Sequence, residues 1–213
     1  MPKKRILIVY GSRYGSTGEI SQRIAEILES KELTTDLVNL KNTKEEDWPK
    51  LEPFDGILVG SGIRASRWVE EPRKFLNKNK EELKKREKTL GIFVSCGFAT
   101  VPPRRPEAKQ EYIEKNMAEL GIEPHITDAF GALLDFSPTS KLGFLDKQIL
   151  KIVAKGMAKE TSAKIEANTR NDLRDWNQIQ HFTEQFAKLA KAKTPQKKKK
   201  TAPARTRPLS PTS

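Results

Sequence analysis

The segment Gly11–Thr17 combines glycines and hydroxyl side chains between the first apolar run and a helical pattern. Glycines allow a tight turn, and the N–H groups that open the following helix favour an anion. The loop is not a Walker A sequence, because the spacing from Gly11 to Gly15 is one residue short and no lysine precedes Ser16. We therefore predict a phosphate-binding loop and not a nucleoside triphosphatase. The alternative is an ordinary glycine-rich turn in which Ser16 serves only as a helix cap.

Two further loops of small polar residues follow the third and fourth apolar runs. The first, Gly60–Trp68, contains a G-x-G-x-x-A pattern, but a dinucleotide fingerprint belongs to the first turn of its unit and needs an acidic residue after the next strand. Here the next run ends in Ser95-Cys96. Small residues bounded by an aromatic side chain suit the edge of a planar ring. Trp68 and Phe98 are candidates for stacking on that ring, and Phe98 is preferred.

Short runs rich in branched apolar side chains alternate with helical patterns over residues 1–190. The predicted strands are Arg5–Tyr10, Thr35–Leu40, Gly56–Gly60, Leu90–Ser95 and Ile126–Leu133. Strands separated by helices indicate an α/β fold with a doubly wound, five-stranded parallel sheet. Ligands of such sheets bind beyond the carboxyl ends of the strands. The three small-residue loops are therefore expected to converge at one edge.

Helical spacing predicts four helices around these strands. The first buries Ile20, Ile24, Ile27 and Leu28 and begins with a capping box formed by Ser16 and Glu19. Two others are predicted at Trp68–Leu83 and Pro106–Leu120. The last places Leu173, Trp176, Ile179, Phe186 and Leu189 on one side, with Asn171 or Asp172 as N-cap.

The net charge of +12 is concentrated at the C-terminal end. Residues 191–213 hold six lysines and two arginines and no Asp or Glu, which leaves 32 − 28 = +4 for residues 1–190. Four prolines and few apolar side chains cannot offset the entropy cost of ordering this segment. We predict one domain at 1–190 and a disordered, basic, proline-rich tail at 191–213. The tail is interpreted as a solubilising appendage, and nucleic acid is not the expected partner.

The reactive residue types are few. Cys96 is the single cysteine, and the two histidines show no ligand-like spacing, so neither a disulfide nor a metal site is expected. No Ser-His-Asp or paired-carboxylate arrangement is visible, so we name no catalytic residue and expect a cofactor to carry the chemistry. The longest apolar run, Ile6–Tyr10, is far shorter than the ~20 residues of a membrane span, and no signal peptide is evident. We expect a protein of the reducing cytosol.

Residues 134–171 form a connection longer than is usual between a strand and a helix. Within 144–159, two stripes follow helical spacing: an apolar one of Leu145, Ile149, Ile152, Val153 and Met157, and a basic one of Lys147, Lys151, Lys155 and Lys159. Two interpretations stay open. This basic amphipathic helix lies on an anionic membrane surface, where each lysine contributes ~1 kcal/mol, or it packs on the sheet with a solvated lysine face.

At these motifs the chain resembles the flavodoxin-fold FMN proteins and, among them, the menaquinone-dependent protoporphyrinogen IX dehydrogenases. The resemblance is carried by Ser12–Thr17, by Gly60-Ser61-Gly62-Ile63-Arg64, and by Lys159-Glu160-Thr161 followed by Asp175-Trp176. It implies that the FMN phosphate is held by Ser12, Arg13, Tyr14, Gly15, Ser16 and Thr17. It implies that the isoalloxazine ring is flanked by Ser61, Gly62, Ile63, Arg64, Ser95, Cys96, Gly97 and Phe98.

The resemblance also implies a reaction: FMN oxidises a porphyrinogen-type substrate and passes the electrons to a quinone. Because such a quinone is dissolved in the membrane, residues 144–159 and the basic tail are expected to contact the inner face of that membrane, with the protein bound peripherally. The alternative is a non-enzymatic electron-transfer flavodoxin that reduces a redox protein. Flavodoxin carriers are typically acidic, which helps them dock on basic partners, whereas this domain carries about +4. The charge therefore favours the dehydrogenase.

Overall fold

The computed structural model describes residues 3–140, 143, 147, 148, 150–152, 154–156 and 165–192. The strands in this part of the chain are β1 (Arg5–Gly11), β2 (Thr34–Asn39), β3 (Gly56–Arg64), β4 (Arg67–Trp68), β5 (Thr89–Ser95), β6 (Ile126–Phe130), β7 (Leu133–Asp135) and β8 (Arg170–Asp172). Among them, β2-β1-β3-β5-β6 form a parallel sheet in that order, β4 pairs antiparallel with β3, and β7 pairs antiparallel with β8. The flavodoxin-like α/β class expected from the sequence is confirmed.

The helices of the described chain are α1 (Ser16–Ser30), α2 (Glu70–Lys78), α3 (Lys80–Lys84), α4 (Arg105–Lys109), α5 (Lys115–Leu120) and α6 (Trp176–Ala192). A π-helical turn, Gln110–Glu114, joins α4 to α5, so the helix predicted at Pro106–Leu120 is continuous. The helix predicted at Trp68–Leu83 is shorter at its start, because Trp68 belongs to β4, and it is interrupted at Asn79. The described residues of 147–156 are also helical.

Both faces of the sheet are buried, which explains why the strands have continuous apolar runs. In β1, Leu7 and Val9 point into one hydrophobic cluster, and Ile6 and Ile8 point into another on the opposite side. The second cluster is closed by α1 and α6, where Phe93 of β5 contacts phenylalanines of β6 and α6. The sheet is therefore fixed between two helical layers, with its strand ends at one edge.

The start of α1 differs from the predicted capping box. The N-cap is Gly15, in the left-handed region at φ 90°, and no side chain caps the helix. Ser16 is therefore the first helical residue, and its hydroxyl bonds to other elements. The Glu19 carboxylate accepts hydrogen bonds from Arg170 and Arg174. The predicted capping box was wrong because it requires Ser16 as the N-cap, whereas the helix already begins at Ser16 and its N-cap is Gly15.

The strand predicted at Ile126–Leu133 is two strands. Pairing with β5 ends at Phe130, and after Gly131-Ala132 the chain enters the β7–β8 hairpin. The predicted N-cap of the last helix was also wrong, because Asn171 and Asp172 lie in β8 and Asp175 Oδ1 accepts the Gln178 N–H at 3.0 Å. Ile179 and Phe186 are fully buried as predicted, whereas Trp176 and Leu189 are partly exposed.

Several predictions fall outside the described residues. These are the predictions for Leu145, Ile149, Val153, Met157 and Lys159, the motif Lys159-Glu160-Thr161, and residues 193–213 of the predicted tail. The first two residues assigned to that tail, Lys191 and Ala192, belong to α6. In the described residues, none of the helices combines the length and the apolar character needed to cross a bilayer.

Candidate functional site

A cavity of about 270 Å³ lies at the carboxyl ends of β1, β3 and β5. It brings together twelve of the fourteen residues that the sequence singled out: Ser12, Arg13, Tyr14, Ser16, Thr17, Gly62, Ile63, Arg64, Ser95, Cys96, Gly97 and Phe98. Gly15 is in the same loop but not in the wall, and Ser61 is fully buried with its hydroxyl donating to the Gly62 carbonyl. The convergence of the three loops follows from the parallel order of their strands.

One end of the cavity is formed by the start of α1. Ser12 Oγ accepts the Gly15 N–H at 3.0 Å, which closes the loop into a tight turn. Gly15 supplies the positive φ that the turn requires at little conformational cost. Because no side chain caps the helix, the N–H groups of its first turn remain available to an anion.

The Ser16 side chain does not cap α1 as predicted but bonds to other elements. The Ser95 hydroxyl donates to the Gly131 carbonyl at 3.1 Å, so the Ser95 oxygen accepts the hydroxyl proton of Ser16, 2.9 Å away. Ser16 Oγ in turn accepts the Leu133 N–H at 3.3 Å. The side chain therefore ties α1 to β5 and β7, and any contribution of Ser16 to an anion site comes through its backbone N–H.

The β3–β4 hairpin borders the cavity on another side. Its two turn residues, Ala65 and Ser66, both have positive φ, 47° and 59°, the backbone conformation of a type I′ turn that usually selects Asn or Gly. Non-glycine residues held in this conformation are frequent at binding sites. Arg64 Nε donates to Tyr14 Oη at 3.2 Å, which joins this hairpin to the Gly11–Thr17 loop.

Of the two aromatic candidates for ring stacking, only Phe98 lines the cavity. It is 38% exposed, its ring meets that of Tyr112 edge-on at 6.2 Å, and the Arg104 guanidinium lies 4.0 Å from its centroid. Trp68 is turned away, with Nε1 donating to the Tyr112 carbonyl. Phe98 is thus held as an aromatic wall, whereas Trp68 supports the structure behind it.

Cys96 lines the cavity but does not have the environment of a reactive thiol. It is 4% exposed, and burial raises its pKa to about 11, although backbone hydrogen bonds from Ala99 and Phe98 act in the opposite direction. The protonated thiol is a poor nucleophile and a poor base near neutral pH. Cys96 therefore fills the end of β5 as a small apolar side chain.

The remaining wall lies outside the fourteen residues that the sequence singled out, although two of its members, Ala65 and Ser66, belong to the Gly60–Trp68 loop. It consists of Ala65, Ser66, Val69, Tyr112, Ala132, Leu133, Leu134 and Leu150. Leu133 ends a predicted strand and could have been found from the rule that strand ends form the site. Tyr112 and Leu150 lie in helical patterns without any local signal, because only the packing of α4–α5 and of the 147–156 helix brings them to the cavity. Among the described residues, no group of His, Cys, Asp or Glu side chains is arranged to hold a metal ion.

Comparison with known proteins gives the family. Residues 7–164 match the family model described as the flavodoxin domain. The chain is similar to protoporphyrinogen IX dehydrogenase [quinone] of Escherichia coli strain K12, with 23% identity over 186 residues that cover 87% of this chain and 96% of the relative.

Similar solved structures include flavodoxin 1 from Bacillus cereus, with a TM-score of 0.45 and 17% identity over 74% of this chain and 99% of that one. They also include rubredoxin:oxygen oxidoreductase from Desulfovibrio gigas, with a TM-score of 0.47 and 18% identity. The match covers 75% of this chain and only 36% of the oxidoreductase.

The residues of the cavity fit FMN, the cofactor that this family implies. The uncapped start of α1 suits a phosphate, and Phe98, Leu133 and Val69 add apolar wall to the same cavity, which suits a flat ring. A Cβ at Gly62 would lie only 3.2 Å from Thr17 Oγ1, so glycine keeps the space between the two loops open. The flavodoxin family model matches residues 7–164, which is more than half of the chain, and the cavity fits FMN, so the protein belongs to the flavodoxin family of FMN-binding proteins.

Proposed function

We propose that this protein is an FMN-dependent dehydrogenase that oxidises a porphyrinogen-type substrate and passes the electrons to a quinone. The observation that carries the proposal is the similarity to the Escherichia coli protoporphyrinogen IX dehydrogenase, which extends over nearly the whole length of both chains. The residues 12–17, 61–64 and 95–98 are proposed to hold the cofactor, as the sequence resemblance implies.

The lining of the cavity supports ligands that have a flat, apolar ring and anionic substituents. Its charged side chains are Arg13 and Arg64, and none of the described lining residues is a carboxylate or a histidine. Apolar walls suit a tetrapyrrole or quinone ring, and guanidinium groups suit carboxylates. Bound FMN supplies the redox chemistry. The protein's own residues bind the phosphate, shape the slot and keep the Cys96 thiol protonated beside it.

The first test of this proposal is a direct assay. We expect the FMN-loaded protein to convert protoporphyrinogen IX to fluorescent protoporphyrin under anaerobic conditions only when a quinone is added. The measurement is porphyrin fluorescence with menaquinone, with ubiquinone and with neither. If none of these quinones supports oxidation while a flavodoxin reductase exchanges electrons rapidly with the protein, the electron-carrier function replaces the dehydrogenase.

The described residues of 147–156 pack on the domain with one face of their helix and expose another. Leu150 and Ala154 are buried against Leu134 of β7 and against Phe136, the residue that follows β7. Ile152 faces solvent and is 72% exposed. The helix therefore packs on the domain with one face, and we propose that the outer face, with Lys151, Ile152 and Lys155, contacts an anionic membrane that holds the quinone.

Replacing Ile152 with Asp should weaken binding to phosphatidylglycerol vesicles by about tenfold, since a charge replaces an apolar side chain at the interface. FMN content should not change, because Ile152 does not line the cavity. The measurement is vesicle co-sedimentation at low salt. Ile152→Ser is the matched control that removes the apolar surface without adding charge, and phosphatidylcholine vesicles test the role of lipid charge. Equal vesicle binding by wild type and Ile152→Asp would contradict the proposed contact.

A further inference from the structure

A buried arginine connects the β7–β8 hairpin with the start of α1. The side chain of Arg174 is fully buried, and its Nε and Nη2 each donate to one carboxylate oxygen of Asp172 at 2.7 Å. Nη2 also donates to Glu19 Oε2 at 2.8 Å, and Nη1 lies 3.4 Å from the Ser16 carbonyl oxygen. The Arg174 guanidinium lies 4.5 Å from the ring of Trp176. The arginine thus contacts the helix that opens the phosphate end of the cavity.

Glu19 is the reason why this arginine matters for the cavity. It is the acidic residue in the first turn of α1, one helical turn from Ser16. A carboxylate at this position interacts with the positive end of the helix and therefore competes with a phosphate for the same electrostatic attraction. Burial opposes ionisation of Glu19, but hydrogen bonds from Arg174 and Arg170 outweigh it and hold its pKa below the ordinary value. Glu19 is therefore charged at neutral pH.

The charges around Glu19 cancel. Arg174 and Arg170 both donate to Glu19 Oε2, and Arg174 donates to Asp172 as well, through Nε and Nη2. Two guanidiniums thus face two carboxylates. Both hydrogen bonds tie the Glu19 carboxylate to residues of the β7–β8 hairpin and its C-terminal side, and Glu19 does not line the cavity. The positive end of the helix is thereby left for an external anion.

We propose that Arg174 is a positioning residue for the FMN phosphate: it neutralises Glu19 and holds that carboxylate on the hairpin, so that the start of α1 selects a phosphorylated flavin. The proposal depends on FMN binding alone and not on the substrate or the quinone proposed above. It assigns a cofactor-selecting role to a side chain that does not line the cavity.

The proposal predicts an effect on the phosphate and not on the flavin ring. Arg174→Gln leaves Glu19 and Asp172 in excess over Arg170, so the FMN dissociation constant should rise by about tenfold while that of riboflavin stays unchanged. Glu19→Gln should tighten FMN binding, because it removes the competing charge. Glu19→Gln combined with Arg174→Gln should return FMN affinity to the wild-type range.

The experiment loads each full-length variant with FMN or with riboflavin and measures the free flavin fluorescence on dilution. Arg170 is half-exposed and also donates to Glu19, so Arg170→Gln is the second variant to test if Arg174→Gln does not fold. We expect Arg170→Gln to lower FMN affinity as well, but by less. Equal weakening of FMN and riboflavin, or failure of the double variant to recover, would overturn the proposal and make Arg174 a structural clamp. A wild type that binds neither flavin would overturn the cofactor assignment and this proposal together, whatever the outcome of the quinone assay.

Discussion

Replacing Ser12 with Asp should lower FMN affinity by about a hundredfold at low salt, because a carboxylate near a bound phosphate at an effective dielectric of about 20 costs roughly 3 kcal/mol. Ser12 is suited to this test because its hydroxyl oxygen accepts the Gly15 N–H at 3.0 Å, and an Asp oxygen can accept the same hydrogen bond. The turn is therefore expected to survive the change. The measurement is FMN fluorescence quenching, repeated with riboflavin, whose binding should change little.

Ser12→Asn is the matched control for that experiment. Its amide has nearly the shape of the Asp side chain and also accepts a hydrogen bond from the turn, but it carries no charge. We expect Ser12→Asn to bind FMN within a few-fold of wild type. If the Asn and Asp variants lose FMN equally, the loop is sensitive to shape alone and the phosphate does not lie beside Ser12.

The second large effect is expected at Gly131, where the sheet passes into the β7–β8 hairpin. A Cβ there would lie 2.3 Å from the Leu173 carbonyl oxygen and 3.3 Å from Thr100 Oγ1. The Leu173 backbone cannot move freely, because its N–H donates to the Ala132 carbonyl at 3.1 Å. Gly131→Ala should therefore force the hairpin from the sheet edge and reduce the free energy of unfolding by about 3 kcal/mol.

The same variant should also release FMN more readily. The Gly131 carbonyl accepts the Ser95 hydroxyl, which in turn accepts from Ser16, so displacement of Gly131 loosens the tie between β5, β7 and α1. Urea unfolding of the FMN-loaded protein and the amount of flavin retained after desalting measure the two effects. Gly156→Ala is the control: within the part of the chain that the structure describes, a Cβ on this exposed helical glycine would meet no heavy atom within 4 Å outside its own helix backbone. Alanine there should leave stability equal or raise it by up to about 1 kcal/mol. Wild-type stability in Gly131→Ala would mean that the hairpin yields without cost.

The parallel sheet could be predicted because its strands are buried on both faces. Such strands appear as unbroken apolar runs, and the runs at Arg5–Tyr10 and Leu90–Ser95 match β1 and β5 to within one residue. The rule that ligands bind at the carboxyl ends of parallel strands then placed the three small-residue loops at one edge. The cavity lined by Ser12, Gly62 and Cys96 is the structural counterpart of that prediction.

The details of the loops could not be predicted, because they depend on long-range partners. Ser16 and Glu19 have the spacing of a capping box, and nothing within the local sequence shows that Ser16 bonds to Ser95 or that Glu19 bonds to Arg174. Likewise, the apolar run through Leu133 has the pattern of one strand. It divides because its pairing changes from β5, which ends at Phe130, to β8, which begins at Leu133, and Gly131 between them lies close to the Leu173 backbone.

By itself, the sequence determined the α/β class, the positions of the five main strands in the chain, and the loop residues that follow the strand ends. These depend on hydrophobic periodicity and on the chemistry of neighbouring residues. Tertiary structure alone decided which side chains face the cavity and which hold it in place. Trp68 turns away while Phe98 faces inward, and Tyr112, Leu150 and Arg174 reach the site or its supports from distant segments. The physical reason is that hydrogen-bond partners and packing partners far apart in the chain compete with local preferences, and burial decides between them.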